Sequence, residues 1–425
     1  MTQDIQTHIL PCGLRIVAAP SPTDVVYCGI AVDAGTRDEL PHESGMAHFT
    51  EHLTFKGTRR RRSWHIINRM ESVGGDLNAY TGKEETVYYC SFLKEHFARA
   101  IDLLMDITFS STYPQHEMDK EVEVVIDEIE SYNDTPSELI FDEFESLIFQ
   151  DHPIGRNILG QADRLRQFRT QDIQHFVRRL YIPSRMVLFV YGNIPMTRII
   201  REAGKAMGKI ENEKLEIKNE GIKIKREEAV PSLVRLAPQP LVHAGVEVRQ
   251  KDTHQAHVMI GTRGLPLSDP RHLSLYLLNN ILGGPGMNSR LNIALRERHG
   301  LVYTVESSLT TYTDTGVWSV YFGCDPDDVD RCLRLVRREL QRLTDAPLSP
   351  AALAAAKRQI IGQLGISYDA FDNVAIGMGK RYLHYGTTLS RNRLTEQINA
   401  LTAEQLHQTA CDIFQPDRLL TLIYK

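Results

Sequence analysis

An α+β fold built from two similar domains is what this sequence predicts, on three grounds. Strand-like and helix-like stretches mix along the chain without the regular alternation of a doubly wound sheet. Segments of the first half recur in the second half in the same order. Between the halves, residues 212–231 (NEKLEIKNEGIKIKREEAVP) are charged and poor in large apolar side chains, as an exposed linker is. The predicted division is a first domain over 1–211, a linker over 212–231 and a second domain over 232–425, each a mixed sheet packed with helices.

The elements follow in order. "CGLRIVAAP" and "VVYCGIAVDAG" alternate apolar and small residues as strands do, and "SGMAHFTEHLTF" then turns helical, with Ser44 as expected N-cap and Gly57 beyond the end. "GDLNAYTGKEETVYYCSFL" has the Thr- and Tyr-rich pattern of a hairpin, and "FARAIDLLMDITFS" that of an amphipathic helix. The repeat is clearest where "YIPSRMVLFVY" recurs as "IFQPDRLLTLIY": Pro183, Arg185 and Tyr191 match Pro416, Arg418 and Tyr424 at an offset of 233 (416 − 183). "VVIDEIESYND" resembles "QIIGQLGISYD" at an offset of 235 (359 − 124), and "GMAHFTEHL" falls opposite "GMNSRLNIA" from Gly286. On that alignment Ser289, Asn292 and Ile293 replace His48, Glu51 and His52, while Gln363 replaces Glu128. One copy therefore keeps potential metal ligands and the other does not.

Bulk properties narrow the function. A net charge of −5 argues against a general nucleic-acid binder, and the one basic run, Arg59 to Arg62, reads as a solvated face rather than an anion or substrate contact. The six cysteines are scattered without a close CxxC pair, as buried free thiols in a reducing compartment are. The opening "MTQDIQTHILPCGL" lacks the order of a secretory signal, and no apolar run approaches bilayer-spanning length. A cytoplasmic protein with neither a membrane nor a nucleic-acid partner is the expectation.

The chemistry centres on His48-Phe49-Thr50-Glu51-His52. Residues four apart on a helix share a face, so His48 and His52 can present two imidazole nitrogens to one point. A solvated stripe carrying two imidazoles is the bland alternative. Glu51 lies about 100° around the helix from His52, near enough to reach a metal-bound water without displacing a ligand. Catalytic zinc takes three protein ligands and leaves a position for water, so a third ligand is sought elsewhere. "HEMDKEVEVVIDEIESY" offers Glu121 and Glu128, one heptad apart and so within about 20° of each other around the helix. Beside them Val122, Ile126 and Ile129 form an apolar stripe, placing both acids at a buried border where a carboxylate needs a partner. Two histidines and a carboxylate also suit iron, manganese or cobalt.

These features together resemble the inverzincin metallopeptidases, the family of insulysin, pitrilysin and mitochondrial processing peptidase. H-x-x-E-H is followed by Glu128 at 76 positions (128 − 52), and the likeness extends through "GGDLNAYTGKEETVYY", "HPIGRNILG", "LGGPGMNSRL" and "RERHGLVYTV". In length and duplication the chain is similar to the short bacterial-type members and to the processing peptidase beta subunit. The resemblance implies two domains joined into half of a clamshell around a chamber, and subunits that pair as a homodimer or as a heterodimer with a related chain. It implies one Zn2+ per chain held by His48, His52 and Glu128, with Glu51 as general base and Glu121 orienting a ligand histidine. Arg296 and Tyr303 would bind substrate and stabilise the oxyanion. Phe55 would line the pocket after the scissile bond, and the edge strand with Asn78, Ala79 and Tyr80 would pair with the peptide backbone. Glu138 and Asp142, four apart, match acids that read an arginine near the cleavage site. Pro285 stiffens a glycine-rich stretch, Gly283 to Gly286, where relatives often have glycine. The implied activity is zinc endopeptidase action on short or unfolded peptides with a preference for nearby Arg. The alternative is a non-catalytic scaffold or substrate-binding subunit of a peptidase-like heterodimer; such members lose the metal motif or the Arg/Tyr pair, and this chain keeps both.

Overall fold

The computed structural model describes residues 5–219, 235–239, 244–251 and 253–425. The chain forms two compact units: Met1–Ile129, Asn157–Arg235 and Tyr368–Ser390 make the first, and Glu130–Arg156, Leu236–Ser367 and Arg391–Lys425 the second. The two-domain α+β class holds, but the units do not follow a linear cut of the chain near residue 212.

In the first unit the strands are β1 (Gln6–Ile9), β2 (Arg15–Ala19), β3 (Val25–Val32), β4 (Asp76–Thr81), β5 (Thr86–Leu93) and β6 (Met186–Tyr191). They form a sheet in the order β1-β2-β6-β3-β5-β4, with β2 and β6 parallel and the other neighbours antiparallel. Its helices are α1 (Met46–Thr54), α2 (Ser63–Glu71), α3 (Phe97–Ser110) and most of α4 (Gln115–Asn133). After α5 (Pro136–Phe149), which belongs to the second unit, come α6 (Ala162–Leu165), α7 (Thr170–Leu180) and α8 (Met196–Asn219). The expected linker thus begins as the end of α8, and residues 220–231 lie outside the described residues.

The second unit has β7 (Gly245–Arg249), β8 (Ala256–Gly264), β9 (Val302–Thr311), β10 (Gly316–Cys324) and β11 (Leu420–Tyr424), in the order β7-β11-β8-β10-β9. Its helices include α9 (His272–Gly283), a π-helical turn Asn292–Glu297, α10 (Val329–Asp345) and α11 (Pro350–Ser367). Then α12 (Phe371–Tyr385) returns to the first unit, and α13 (Arg391–Ala400) and α14 (Ala403–Ile413) complete the second. Pairing β2 with β7, β6 with β11, β3 with β8, β5 with β10 and β4 with β9 reproduces order and direction throughout; only β1 lacks a counterpart among the described strands.

Two helices explain why a linear cut fails. Each sheet is covered on one face by its own helices, and strands such as β6, buried at every residue, need cover on the other face too. In the first unit that cover is α12, with Ala375, Tyr382 and Leu383 against Val17, Val187, Phe189 and Tyr191. In the second it is α5, with Ile140, Phe144 and Ile148 against Met259, Val317, Tyr321 and Leu422.

Two local expectations change. Gly45, not Ser44, caps α1, with φ of +89°; a Cβ there would meet Leu159 O at 2.9 Å and Gly160 Cα at 3.0 Å. The first-turn N–H groups of Gly45 and Ala47 instead donate to the buried Glu39 carboxylate, at 3.2 and 2.8 Å. In the basic run, Arg60 and Arg61 are not simply solvated: both bond to Asp102 and Asp106 of α3, and Asp106 is wholly buried. A buried carboxylate demands such partners. All six cysteines are free, and among the described residues no helix is long and apolar enough to cross a membrane.

Candidate metal centre

One helix and its neighbour build the site. In α1 the apolar residues Met46, Phe49 and Leu53 fill the core, which fixes the helix's rotation and turns His48, Glu51 and His52 away from it. In α4, Met118, Val122, Val125 and Ile126 do the same and bring Glu121 and Glu128 alongside. His48, His52 and Glu128 then offer three ligand atoms within 4.8 Å of one another.

The spacing fits a divalent ion. His48 Nε2 lies 3.8 Å from Glu128 Oε1, and His52 Nε2 lies 3.5 Å from Oε2. Direct charge-assisted bonds would close to about 2.8 Å, whereas ligand bonds of about 2.1 Å at tetrahedral angles set donor atoms about 3.4 Å apart. Two imidazoles and a carboxylate are also a donor set that zinc takes. Glu128, with its side chain 45% exposed, stands at the open side of the cluster, further into solvent than its place beside the apolar stripe suggested.

The two imidazoles are shifted in opposite directions. Burial, and then the charge of His52, push the His48 imidazolium down to about 3, so its ring is neutral near neutral pH. Desolvation acts the same way on His52 but is outweighed by the hydrogen bond to Glu121 and the charges of Glu51, Glu121 and Glu128, which raise it. His52 Nδ1–H donates to Glu121 Oε1 at 3.0 Å, directing the other nitrogen, Nε2, at the cluster. Glu121 is held in turn by Lys56, whose Nζ is 2.5 Å from Oε2. Burial raises the Glu51 carboxyl, against the hydrogen bond from Thr81 and the charge of His52. Thr81 Oγ1 donates to Glu51 Oε2 at 2.6 Å and so fixes the carboxylate.

Sequence reasoning missed Lys56 and Thr81. Lys56 sits four residues beyond His52, the same spacing that joins His48 to His52, and this was the one available signal. Thr81 ends the hairpin strand next to Tyr80, and nothing local ties it to Glu51.

The remaining expected residues fall as follows. Among the described strands β4 lies at the edge of its sheet, bonded only to β5. Its Leu77 and Ala79 pack toward the core, while the Tyr80 ring packs on the opposite face, 5.7 Å from Lys380 Nζ of α12. Asn78 Oδ1 accepts from the Ala79 N–H at 2.8 Å. Phe55 packs against the core with its ring 6.2 Å from that of Tyr88. Glu138, exposed, and Asp142, bonded to Tyr132, lie on α5 in the second unit. Arg296 and Tyr303 are also in that unit, the guanidinium 5.6 Å from the ring centroid and Tyr303 82% exposed.

The second unit corrects the repeat alignment. The helix that follows β8, as α1 follows β3, is α9, not the segment from Gly286. Tyr276, Asn279 and Asn280 of α9, at the spacing of His48, Glu51 and His52, line a recess of about 610 Å³ together with Gln363 of α11. Gln363 therefore stands opposite Glu128 as expected, but the motif's counterparts are Tyr276, Asn279 and Asn280. Gly283 ends α9 where a Cβ would come within 2.5 Å of the Ser307 backbone nitrogen on β9, so only glycine fits.

Known proteins share this architecture. Residues 15–162 match the family described as Insulinase (Peptidase family M16), and residues 167–360 match the Peptidase M16 inactive domain. Over 420 residues the chain is 32% identical to the Uncharacterized zinc protease YmxG of Bacillus subtilis, covering 99% of this chain and 98% of that one. It is 29% identical over 413 residues to the mitochondrial-processing peptidase subunit beta of Saccharomyces cerevisiae, covering 94% and 87%. The crystal structure of a protease from Helicobacter pylori superposes with a TM-score of 0.89 at 21% identity, over 100% of both chains, and shares the fold. With relatives named zinc proteases along its whole length and both of its halves matched, the chain belongs to peptidase family M16, the insulinase family.

Proposed function

We propose that the chain is a zinc-dependent endopeptidase that hydrolyses short or unfolded peptides. The observation that carries this reading is the convergence of two imidazole Nε2 atoms and one carboxylate beside a second, half-buried carboxylate, Glu51. When bound, zinc would supply Lewis acidity and an acidified water. Glu51, with its carboxyl raised by burial, takes a proton from the attacking water and delivers it to the leaving amine. Thr81 keeps that carboxylate in place, and Glu121 with Lys56 keeps His52 in the ligating tautomer. The peptide adds as a further strand along the free edge of β4, where backbone pairing gives affinity without a strict sequence requirement. Arg296 and Tyr303 supply donors where negative charge develops on the scissile carbonyl. Glu138 and Asp142 present an i,i+4 carboxylate pair to a substrate guanidinium. The working form is a pair of chains, either two copies or one copy with a related subunit.

Metal analysis and fluorogenic-peptide cleavage on the wild type and Glu51→Gln test the proposal. The expected result is stoichiometric zinc in both, chelator-sensitive cleavage by the wild type and none by the variant. Cleavage by Glu51→Gln at the wild-type rate would refute it. Zinc without cleavage by either protein would fit a substrate-binding subunit instead.

A further inference from the structure

The second unit holds a recess of about 300 Å³ between the π-helical turn and α10, lined by Arg290, Ile293, Ala294, Arg298, Glu339 and Arg342. Its charge is unbalanced, with three guanidiniums to one carboxylate. That carboxylate is already engaged: Glu339, with 5% of its side chain exposed, accepts from Arg342 Nη1 at 2.7 Å. No side-chain hydrogen bond or ion pair joins the Arg290 guanidinium to another described residue. Burial lowers its pKa, the Arg342 charge adds to this, and Glu339 only partly offsets them.

The first unit provides an internal control. There α2 and α3 occupy the corresponding places, one following the site helix and the other following the β5 strand. Arg60 and Arg61, just ahead of α2, are met by two acids of α3, Asp102 and Asp106. One copy closes its arginines internally, while the other leaves two of its three turned to an open recess. A partly desolvated cation without a partner is costly, and a bound anion would offset that cost.

We propose that this recess is an anion site that takes a small phosphate-bearing molecule. Planar guanidiniums match phosphate oxygens in forked pairs. Ile293 and Ala294 supply an apolar wall that limits water and strengthens those pairs. The volume lies at the small end for ligand pockets, which suits a compact polyanion over an extended chain.

Calorimetric titration of the full chain with inorganic pyrophosphate at low salt tests this. Arg290→Ala and Arg298→Ala are each expected to weaken binding by about tenfold or more. Arg334→Ala, which removes an exposed charge of α10 outside the recess, is expected to leave binding unchanged. Since Arg298 is exposed, its loss threatens the fold least. Cosedimentation with phosphatidylcholine vesicles containing phosphatidic acid separates the sources: capture by vesicles alone, lost in Arg290→Ala, assigns the same chemistry to a lipid headgroup. Failure of the wild type to bind either probe, or equal weakening by Arg334→Ala, would overturn the proposal.

Discussion

The two units place the same helices on the same sheet order and fill the equivalent corner with opposite chemistry. In the first, His52 Nε2 and Glu128 face each other at 3.5 Å without a direct bond. In the second, Asn280 Nδ2 donates to Gln363 Oε1 at 2.6 Å and the corner satisfies itself. Glu51 takes one hydrogen bond from Thr81 and keeps its other oxygen available, whereas its counterpart Asn279 is used up: its amide donates to Ser307 O at 3.1 Å and accepts from Trp318 Nε1 at 3.0 Å. The ionisable set is therefore unnecessary for folding, since neutral carboxamides support the same frame. What the frame needs from these positions is hydrogen bonding; what the first unit retains is a trio, His48, His52 and Glu128, whose facing atoms no hydrogen bond joins.

The largest expected effect comes from making the first corner like the second. His52→Asn with Glu128→Gln should reduce bound metal from about one equivalent to background and abolish cleavage, while circular dichroism and thermal unfolding stay close to wild type. Metal retained at stoichiometry would mean that the ion sits elsewhere and that the comparison of corners is misplaced. A smaller effect is expected at Glu121, whose repeat position in the second unit is Ala356, where there is no histidine to orient. Glu121→Ala should weaken zinc binding by about tenfold to a hundredfold, as loss of a carboxylate behind a ligand histidine does. A competition titration with a chromophoric chelator reads this directly, and affinity equal to wild type would remove Glu121 from the site.

Much of this corner was legible in the sequence because helical periodicity is local. The spacing of His48 and His52 and the heptad from Glu121 to Glu128 state which face each residue occupies. The Pro-x-Arg strands were legible as a repeat because each Pro and Arg starts a short turn that feeds a buried strand. Where the repeat kept no residue identities the register was lost: "YLLNN" shares nothing with "HFTEH", so the alignment slipped to the Gly286 segment. The partners Glu39 and Thr81 were hidden because polar contacts between elements carry no periodic signal, and Lys56 showed only in its helical spacing from His52. The exchange of α5 and α12 was hidden for a related reason: an apolar helix face states that it needs a sheet, not which one.

Those exchanged helices are held differently, which gives a pH-dependent contrast. On the first sheet α12 is anchored by Glu85, which accepts from His384 Nε2 at 3.0 Å and pairs with Lys380 Nζ at 2.5 Å. On the second, α5 is anchored in part by the Tyr312 hydroxyl on Glu145, at 2.9 and 3.0 Å. Burial alone would raise the Glu85 carboxyl, but His384 and Lys380 outweigh it and hold the group at about 2, against 4.5 ordinarily. A depressed carboxyl contributes stability that is complete above its unfolded value and is lost as pH falls toward its folded one. On the order of 2–3 kcal/mol should therefore disappear between about pH 5 and pH 2. Amide exchange across α12 should rise over that window, and Glu85→Gln should flatten the dependence. An unchanged profile in the variant would show that the ion cluster does not anchor the helix.

The smallest effects test the packing of α12 itself, at two glycines one turn-half apart. A Cβ at Gly379 would lie 2.5 Å from Cδ1 of Phe189, a ring buried in the middle of the sheet with nowhere to move. A Cβ at Gly377 meets nothing within 4 Å. Both residues are helical, so alanine brings the same backbone benefit at each, up to about 1 kcal/mol. At Gly377 that benefit should appear as a slightly raised unfolding midpoint. At Gly379 overpacking of about 1–3 kcal/mol should exceed it and lower the midpoint. Opposite signs from one substitution, two residues apart, would locate the close helix–sheet approach at Phe189. Equal shifts would mean that α12 does not press on β6 there, and that the first sheet's second face is covered more loosely than the distances imply.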